Sequence, residues 1–531
     1  MLLVAAAVRL GAATRQPLWA DELFSLAVAT GHSLEQPAAD ADPARGDFVE
    51  SPRAEPPAHY ARYLAHDPEP AGPARVLRAT ALSDNSPPLY YLLLWAWTRV
   101  FGSGDVALRL FSAVASLAAL VLVVGLARRA AGRQAGLLAG LLFAFWPVGV
   151  FYSTEGRMYA LLFLWTAAAL FLAQRMHARG ARRPLVALYG LVGGLGLLTH
   201  YFFAPVLAAV SAGLLLRPGR CRRAPLLAAL AIASALALPW YAALPAAAGR
   251  WRVTSGWLKL VPAHFDPLWT RLRLPWTAFS VNAAEGLPMW IDYLNGVAIL
   301  GLLACGLRSR GRRLFAGTRL LLWLAMLAGL LTPLAADLLL GTYTSMNPRY
   351  ALAGLPAAVV LVAVLVASLR PRRQAFVAAL LLALGLAGSY RVVRTVARAN
   401  EPFDPLGRWL AASARDGDVA IVHSIPSGVC GTARALVRAG SSLPVASWIG
   451  PLRRREVPRD VEALAAGRRR VFLVEVHTVG DPVPEERWLR EHARQAGVVE
   501  FEYARVLVFE PRQGPRFAGP PEGEARARPA S

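Results

Sequence analysis

The chain has 531 residues, of which 56% are hydrophobic and only 17% are charged, and its apolar residues come in long runs. This composition excludes a soluble protein of this size and predicts a polytopic α-helical membrane protein. The formal net charge of +23 comes largely from arginines in the short gaps between apolar runs, a pattern typical of cytoplasmic loops. We therefore expect no nucleic-acid partner.

Apolar segments follow one another along most of the chain. After a first helix over residues 1–13, they lie at 106–127, 134–151, 157–174, 184–199, 202–216, 224–245, 288–307, 319–340, 350–369 and 374–391. Several are shorter than the ~20 residues that a span usually needs, so their boundaries are approximate. Together they predict about 11 transmembrane helices.

The arginine-rich gaps predict the sidedness of these helices. The gaps lie at Arg128–Arg133, Arg175–Arg183, Arg217–Arg223, Arg308–Arg319 and Arg370–Arg373. Two spans separate each gap from the next, so all five lie on one side, which the positive-inside rule assigns to the cytoplasm. The N-terminus is then inside and the C-terminus outside.

The same parity places residues 15–105 outside as one loop. Its part from Ser33 to Ala81 is rich in Pro and acidic residues, which predicts weak structure with one short helix near His59–Leu64. The segment 87–101 opens with two prolines and is rich in Tyr and Trp. These features favour an external helix at the membrane interface, since a crossing here would reverse every later loop.

Residues 392–511 change in character and predict a small extracytoplasmic α/β domain. The pattern gives an amphipathic stretch Pro405–Ala414, strands at Val419–His423 and Val471–Val476, a helix Glu485–Gln495 and two short strands within Val498–Phe509. We expect a disordered tail at 512–531. Residues 1–391 are then the membrane domain.

Two adjacent carboxylates, Asp21 and Glu22, follow the first apolar segment directly. A charge at the bilayer centre costs ~2.5–3.5 kcal/mol, so an acid at membrane level is a candidate functional residue. A solvated loop or a helix N-terminus would also explain the pair.

Four further motifs fall on the same predicted face. They are Asp84–Tyr91, Tyr152–Tyr159, Thr199–Phe202 and Pro348–Tyr350. With the acidic pair, and over roughly residues 1–391, they closely resemble bacterial glycosyltransferase family 39 of the GT-C superfamily. That family includes protein O-mannosyltransferases and aminoarabinose transferases of lipid A. The motifs also resemble the related domain of lipopolysaccharide galacturonosyltransferases.

The resemblance implies a glycosyltransferase of the bacterial cytoplasmic membrane. Its donor would be a polyprenyl-phosphate-linked sugar at the outer leaflet, and its acceptor a glycan, lipid or protein on the outer face. The family's catalytic acid corresponds to Asp21, and the Pro-Pro-Leu-Tyr-Tyr segment to a helix beside the lipid phosphate. Family members with Lys before the two prolines use it on that phosphate, whereas this chain has Ser86.

Elementary chemistry agrees with this assignment. The acceptor needs a base for its proton, and we assign Asp21 to that role with Glu22 assisting. The leaving phosphate is already a stable anion, so it needs a cation, and the arginine fork suits phosphate oxygens. Arg157 and Arg349 are the candidates. Pairing with Glu155 would also explain Arg157, and anchoring at the interface would also explain Arg349.

Other polar and aromatic residues of these motifs are candidates for binding sugar or lipid. They are Glu155, Tyr90, Tyr152, Tyr159, His200 and Tyr201. The tyrosines also fit an interfacial aromatic belt, His200 a structural role, and Asp84 the N-cap of the helix that the prolines start. A hard divalent cation would suit such acids, but no ligand spacing requires one, so we expect no metal and no cofactor.

The competing function is a transporter or flippase of lipid-linked sugars. Transporters place charges near the bilayer midplane, in broken helices and repeated halves. Here the charges gather at one interface and no repeat is evident, which favours the enzyme.

Overall fold

The structure of the protein is a computed structural model. It describes residues 1–518 except 16, 35–40, 85, 218, 249–278, 282, 284–286, 395–400, 453 and 477–480. Most of the segment between the predicted spans 224–245 and 288–307, which the same parity places outside, therefore lies outside the described residues, as does the predicted tail beyond residue 518. Within the tail, Phe517 exchanges backbone hydrogen bonds with Gly467 and Arg468.

The protein is mostly helical, as its composition predicts. The α-helices are α1 Leu2–Ala13, α2 Ala20–Ala29, α3 Pro57–Ala61, α4 Pro73–Ser83, α5 Leu89–Phe101, α6 Asp105–Phe145, α7 Pro147–Ser153, α8 Tyr159–Arg179, α9 Arg183–Leu197, α10 Phe203–Leu216, α11 Arg223–Ala248, α12 Met289–Leu314, α13 Thr318–Leu340, α14 Leu355–Val366, α15 Pro371–Arg394, α16 Phe403–Ser413, α17 Pro426–Arg438, α18 Arg459–Ala465 and α19 Pro484–His492. A 3₁₀ turn at Pro348–Gly354 leads into α14.

Six helices among the described residues are long and apolar enough to cross a membrane. These are α6, α8, α11, α13, α15 and the continuous segment Pro348–Val366. Shorter apolar helices of 10–17 residues occur at Leu2–Ala13, Arg183–Leu197, Phe203–Leu216 and Trp290–Gly306. A membrane-protein architecture is therefore confirmed.

Helix α6 is broken in the middle, at the first arginine-rich gap. Ala131 and Gly132 have non-helical dihedral angles, and Gly132 has a φ of +87° that favours glycine. The break divides α6 into the two segments that the sequence predicts. The buried Arg9 of α1 joins both halves, because its guanidinium donates to Ser116 Oγ at 3.0 Å and to the carbonyl of Ala144 at 3.2 Å.

The segment before α5, which the sequence predicts to be external and which we call the external segment, is more structured than we expected. The predicted short helix is present as α3 followed by a 3₁₀ turn at Arg62–Leu64, but α4 was missed. Phe48, Tyr60 and Tyr63 are buried and pack against one another. The expectation of weak structure is wrong for the described residues 41–84, since aromatic residues supply a core that the Pro-rich composition concealed.

The C-terminal part contains one five-stranded sheet in the order β2-β1-β3-β5-β4. Its strands are β1 Val419–His423, β2 Val445–Trp448, β3 Val471–Val476, β4 Ala493–Phe501 and β5 Ala504–Pro511. β1 pairs in parallel with β2 and β3, and β5 pairs antiparallel with β3 and β4. The predicted strands are present, whereas the predicted helix Glu485–Gln495 ends earlier and Ala493 begins β4.

The sheet packs against the external segment and the membrane helices. Glu55 forms an antiparallel bridge with Val445 of β2, and Tyr60 OH lies 3.1 Å from Ser447 Oγ. At the start of α6, Asp105 pairs with Arg434 of α17 at 2.7 Å. Buried side chains of the sheet, α2 and the membrane helices belong to one continuous hydrophobic core. The C-terminal part with its sheet is therefore packed firmly against the helical bundle.

Candidate active site

The acidic pair lies in the first turn of α2, which begins after Trp19. Acidic side chains are favourable there because the helix dipole is positive at its N-terminus. Glu22 also reaches back to the backbone N–H of Trp19 at 3.4 Å, as in a capping box. The helix-start explanation therefore describes Glu22, while Asp21 points elsewhere.

Asp21 contacts an arginine that lies 328 positions later in the chain. Its Oδ2 accepts a hydrogen bond from Arg349 Nη1 at 2.8 Å. The Asp21 side chain is 34% exposed and that of Arg349 is 12% exposed, so solvent still reaches the carboxylate. The Asp21 backbone carbonyl lies 3.5 Å from Arg157 Nη1. Three motifs that are distant in sequence thus meet at the start of α2.

Arg157 is held by acceptors from two elements. Its Nη1 donates to Ser25 Oγ at 3.1 Å and to Tyr91 OH at 3.2 Å, and lies 3.7 Å from Asp84 Oδ2. Its buried Nε has no hydrogen-bond partner among the described residues. Arg157 therefore has a donor left to offer to a ligand.

Asp84 takes a different role from the N-cap that we expected. The N-cap position of α5 is Pro88, whereas Asp84 Oδ1 accepts the N–H of Ser86 at 3.0 Å. Its Oδ2 accepts a hydrogen bond from the Tyr91 hydroxyl. The N-cap interpretation is wrong because the turn between α4 and α5 places Asp84 beside Arg157 instead.

Glu22 forms a fully buried ion pair with Arg109 of α6. Both side chains are 1% exposed, and Arg109 Nε donates to Glu22 Oε1 at 2.8 Å. The same oxygen accepts the backbone N–H of Gly156 at 2.8 Å. Glu22 thus links α2 to the turn that carries Arg157, and its contacts are those of a positioning residue.

The segment before α14 orients Arg349. Asn347 Oδ1 accepts the N–H of Arg349 at 3.2 Å and is contacted by Tyr152 OH at 3.4 Å. The Arg349 guanidinium lies 5.3 Å from the ring centre of Tyr350. These contacts hold the arginine against Asp21. A side chain that only anchored the protein at the interface would not need this partner.

The aromatic candidates lie around this polar centre. Tyr152 and Tyr159 pack edge to face with ring centres 5.1 Å apart, and His200 lies 6.0 Å from Tyr159. His200 Nδ1 accepts the N–H of Phe202 at 3.1 Å. Burial, reinforced by the charges of the two arginines, lowers the pKa of His200 to about 3. The imidazole is therefore neutral near pH 7.

The remaining candidates are less directly connected. Tyr90 is fully buried and packs against Tyr91, and Glu155 is 3% exposed. Tyr201 OH accepts a hydrogen bond from Trp240 Nε1 at 3.3 Å. Among the described residues, no three His, Cys, Asp or Glu side chains are grouped as metal ligands would be.

The sequence analysis missed several residues of this site. Arg109 had a detectable signal, because an arginine inside an apolar segment needs a partner. Tyr91 and Asp84 lay in a motif already singled out. No feature of the sequence indicated Glu401. Its buried Oε2 accepts the N–H of Ala20, the first residue of α2, at 2.9 Å.

Residues 85–242 match a protein family described as dolichyl-phosphate-mannose-protein mannosyltransferase. No curated protein matches the chain significantly. Among solved structures, ArnT from Cupriavidus metallidurans in the apo state is 14% identical, with a TM-score of 0.58 and 98% of each chain covered. The same protein bound to undecaprenyl phosphate gives 14% identity and a TM-score of 0.57, again with 98% of each chain covered.

An archaeal oligosaccharyltransferase, AglB from Archaeoglobus fulgidus, in complex with an inhibitory peptide and a dolichol-phosphate, is 12% identical. Its TM-score is 0.46, with 89% of this chain and 68% of that chain covered. The resemblance predicted from the motifs is confirmed, since residues 85–242 are similar to the mannosyltransferase family and 98% of the chain has a fold similar to that of ArnT.

Proposed function

We propose that the protein is an integral-membrane glycosyltransferase that moves a sugar from a polyprenyl-phosphate donor to an acceptor on the outer face of a bacterial cytoplasmic membrane. The mannosyltransferase match at residues 85–242 supports sugar transfer. ArnT, whose fold the chain shares, has been solved with undecaprenyl phosphate, which supports a donor of that chemical class.

One observation carries the proposal: the carboxylate of Asp21 and the guanidinium groups of Arg157 and Arg349 meet at the start of α2. Arg349 Nη1 donates to Asp21 Oδ2 at 2.8 Å, and Arg157 Nη1 lies 3.5 Å from the backbone carbonyl oxygen of Asp21. A lipid phosphate next to an acceptor hydroxyl needs a cation for the phosphate and a base for the hydroxyl, which the two arginines and the carboxylate supply.

The chemistry follows from these groups. The acceptor oxygen forms the new bond to the anomeric carbon as the bond from that carbon to the phosphate oxygen breaks. Asp21 takes the acceptor proton, and Arg157 and Arg349 stabilise the departing phosphate. Glu22 does not act on the substrate, because Arg109 donates to both of its carboxylate oxygens. It positions the neighbouring residues instead.

Arg157 offers a substitute for the cation that relatives place before the two prolines. In this chain that position is Ser86, whose backbone N–H binds Asp84. Arg157 contacts Tyr91 and lies 3.7 Å from Asp84, so its charge reaches the beginning of α5 from the turn between α7 and α8. We assign Tyr152, Tyr159, Tyr90, Tyr201, Glu155 and neutral His200 to the surrounding walls, where sugar or prenyl chain would pack.

The transporter alternative is not favoured. The charged residues of the site gather at the ends of helices, at Asp21, Arg157 and Arg349, and contact one another there. A transporter would hold its charges near the midplane of the bilayer.

For topology we propose 11 spans, with α6 counted as two helices, a cytoplasmic N-terminus, and both α5 and the 392–511 domain outside. Cysteine labelling in intact cells tests this on a Cys305→Ser background, because Cys305 is the exposed cysteine among the three. Glu69→Cys is expected to react with an impermeant maleimide, and Arg220→Cys only after permeabilisation. Labelling of Arg220→Cys from outside would contradict the topology.

Arg349→Gln is expected to weaken donor binding more than it slows turnover. A hydrogen bond to a charged group is worth about 1.5–3 kcal/mol, so the apparent KM for the polyprenyl-phosphate sugar should rise roughly tenfold or more. Steady-state kinetics with purified protein measure the change. Arg408→Gln, an exposed arginine on α16, is the control. An unchanged donor KM would remove Arg349 from the phosphate site.

Mass spectrometry of surface glycans and lipids tests the proposed function itself. A deletion strain is compared with its parent and with strains complemented by the normal gene or by Asp21→Asn. We expect one sugar substituent to disappear on deletion and to return only with the normal gene. Identical spectra in all four strains would contradict glycosyl transfer.

A further inference from the structure

A group of arginines lies at the end of α8 that is opposite to the candidate active site. Arg175 follows the first residue of α8, Tyr159, by 16 residues, which is ~24 Å along the helix axis. Arg179 lies one turn further on, and Arg129 lies in α6 just before its break. None of the functional assignments above uses these three arginines.

The packing of α6 against α8 brings two of these arginines to one aromatic ring. Phe171 of α8 packs against Gly125 of α6, where an added β-carbon would lie 3.0 Å from the ring. Arg129 follows Gly125 by four residues, and Arg175 follows Phe171 by four, so each lies on the same helix face as its contact residue. The two guanidinium carbons lie 5.8 and 5.9 Å from the centre of the Phe171 ring. Cation–π attraction thus holds two cations from different helices beside each other.

The positive charge of this group is not matched by acids. The five arginine-rich gaps of the sequence contain no Asp or Glu, and Glu155, at the other end of α8, is the only acidic residue between positions 106 and 265. Within the described part of the chain, Arg129, Arg175 and Arg179 form no ion pair. The charges of Arg179 and Arg175 act on Arg129 instead, and like charges repel. An anion between them would remove this repulsion.

Two polar side chains at this end of α8 also lack hydrogen-bond partners. The Nε of Arg175 is buried and has no acceptor among the residues that the structure describes. Gln174 is 1% exposed, and its amide nitrogen and oxygen have no partner there either. The spacing of Phe171, Gln174 and Arg175 places all three on one face of α8. Because buried polar groups without partners are costly, these side chains indicate a polar ligand.

We propose that this group of residues binds the phosphate of an anionic phospholipid headgroup, with Arg129 and Arg175 on the phosphate oxygens. Arg179 adds positive charge, and the Gln174 amide supplies a further donor. The arginine fork fits phosphate oxygens, and basic sites between transmembrane helices on the cytoplasmic side recognise lipid headgroups. The general excess of positive charge in cytoplasmic loops requires neither a shared aromatic ring nor buried donors.

The source of the phosphate is a lipid because of where the site lies. Both α6 and α8 are long and apolar enough to cross a membrane, and the arginines lie at the ends of their apolar stretches. A phosphate at this level can carry acyl chains that lie along the helices. The topology proposed above places this end in the cytoplasmic leaflet.

Native mass spectrometry of the delipidated full-length protein in detergent micelles tests the site, with phosphatidylglycerol as the probe and zwitterionic phosphatidylcholine as its counterpart. A basic residue at a membrane surface contributes a factor of roughly five to the binding of anionic lipid. We therefore expect phosphatidylglycerol to bind at least roughly fivefold more tightly than phosphatidylcholine. Equal affinities would overturn the proposal.

Two variants and a control locate the binding. Arg129→Gln and Arg175→Gln are each expected to weaken phosphatidylglycerol binding roughly fivefold. Neither arginine is buried, so the packing of Phe171 on Gly125 survives both changes. Arg372→Gln removes an exposed arginine from another arginine-rich gap, at the start of α15, and should bind normally. Equal weakening in all three variants would identify diffuse attraction and overturn the site, as would unchanged affinity in Arg175→Gln.

Inorganic phosphate distinguishes a lipid site from a site for free phosphate. At a concentration equal to that of the lipid, it is expected to leave phosphatidylglycerol bound. Displacement of the lipid under these conditions would identify a free-phosphate site and overturn the assignment to a lipid. These measurements do not depend on glycosyl transfer, because the residues belong to the opposite end of α8 from the candidate active site.

Discussion

Asp21→Asn is expected to abolish glycosyl transfer while the protein still inserts and is expressed normally. General-base catalysis contributes about 10²–10⁴-fold to a rate, so turnover should fall by at least roughly a hundredfold. Asparagine keeps the size of the side chain and an oxygen for the bond from Arg349 Nη1, so the surrounding contacts survive. The measurement is turnover of purified protein with a polyprenyl-phosphate sugar.

The control for this variant is Glu69→Gln, which neutralises an exposed carboxylate in the same external segment. It should leave turnover unchanged. Separate values of kcat and donor KM distinguish base catalysis from loss of the Arg349 contact, since a base affects kcat and the contact affects KM. Normal kcat in Asp21→Asn would eliminate Asp21 as the base.

Glu22→Gln is expected to cause the largest loss of stability. The change leaves the fully buried Arg109 without a carboxylate, and breaking a buried ion pair costs about 3–5 kcal/mol. The backbone carbonyl of Pro17, 2.9 Å from Arg109 Nη2, offsets part of that cost. Thermal unfolding of the detergent-purified protein, followed by tryptophan fluorescence, measures the effect.

The double variant Glu22→Gln with Arg109→Met tests the electrostatic explanation. Removing both charges eliminates the uncompensated cation, so the double variant should be more stable than Glu22→Gln alone. Arg494→Gln breaks an exposed pair with Glu510 and should cost at most about 1 kcal/mol. If Glu22→Gln unfolded no earlier than this control, Glu22 would not hold the site together.

The fold was largely predictable because its dominant signals are local. Apolar runs and arginine gaps depend on composition along the chain, and Gly132 falls within the gap that separates the two halves of α6. The external segment was misjudged because its core depends on Tyr60 and Tyr63 meeting Phe48 in space. Strand β2, only four residues long, gave too short a pattern to detect.

The sequence predicted that Asp21, Arg157 and Arg349 would share one face, but it did not predict their contacts. Asp21, Arg157 and Arg349 were selected for residue type and sidedness, and the structure places them together. The partners of these residues were harder to predict. For example, nothing in the local sequence distinguishes Glu22, which binds Arg109, from its neighbour Asp21. Such pairings arise from helix packing between segments far apart in the chain.

Glu401 joins the C-terminal lobe, residues 401–511, to the candidate active site. This residue precedes α16, is fully buried, and accepts the N–H of the residue immediately before Asp21. In addition, a β-carbon added at Gly431 in α17 would meet the side chain of Leu23 at 2.6 Å, so the two helices touch almost without a gap. A change in the packing of this lobe is therefore transmitted to the carboxylate of Asp21, and exchanging the lobe between related proteins would require a matching α2.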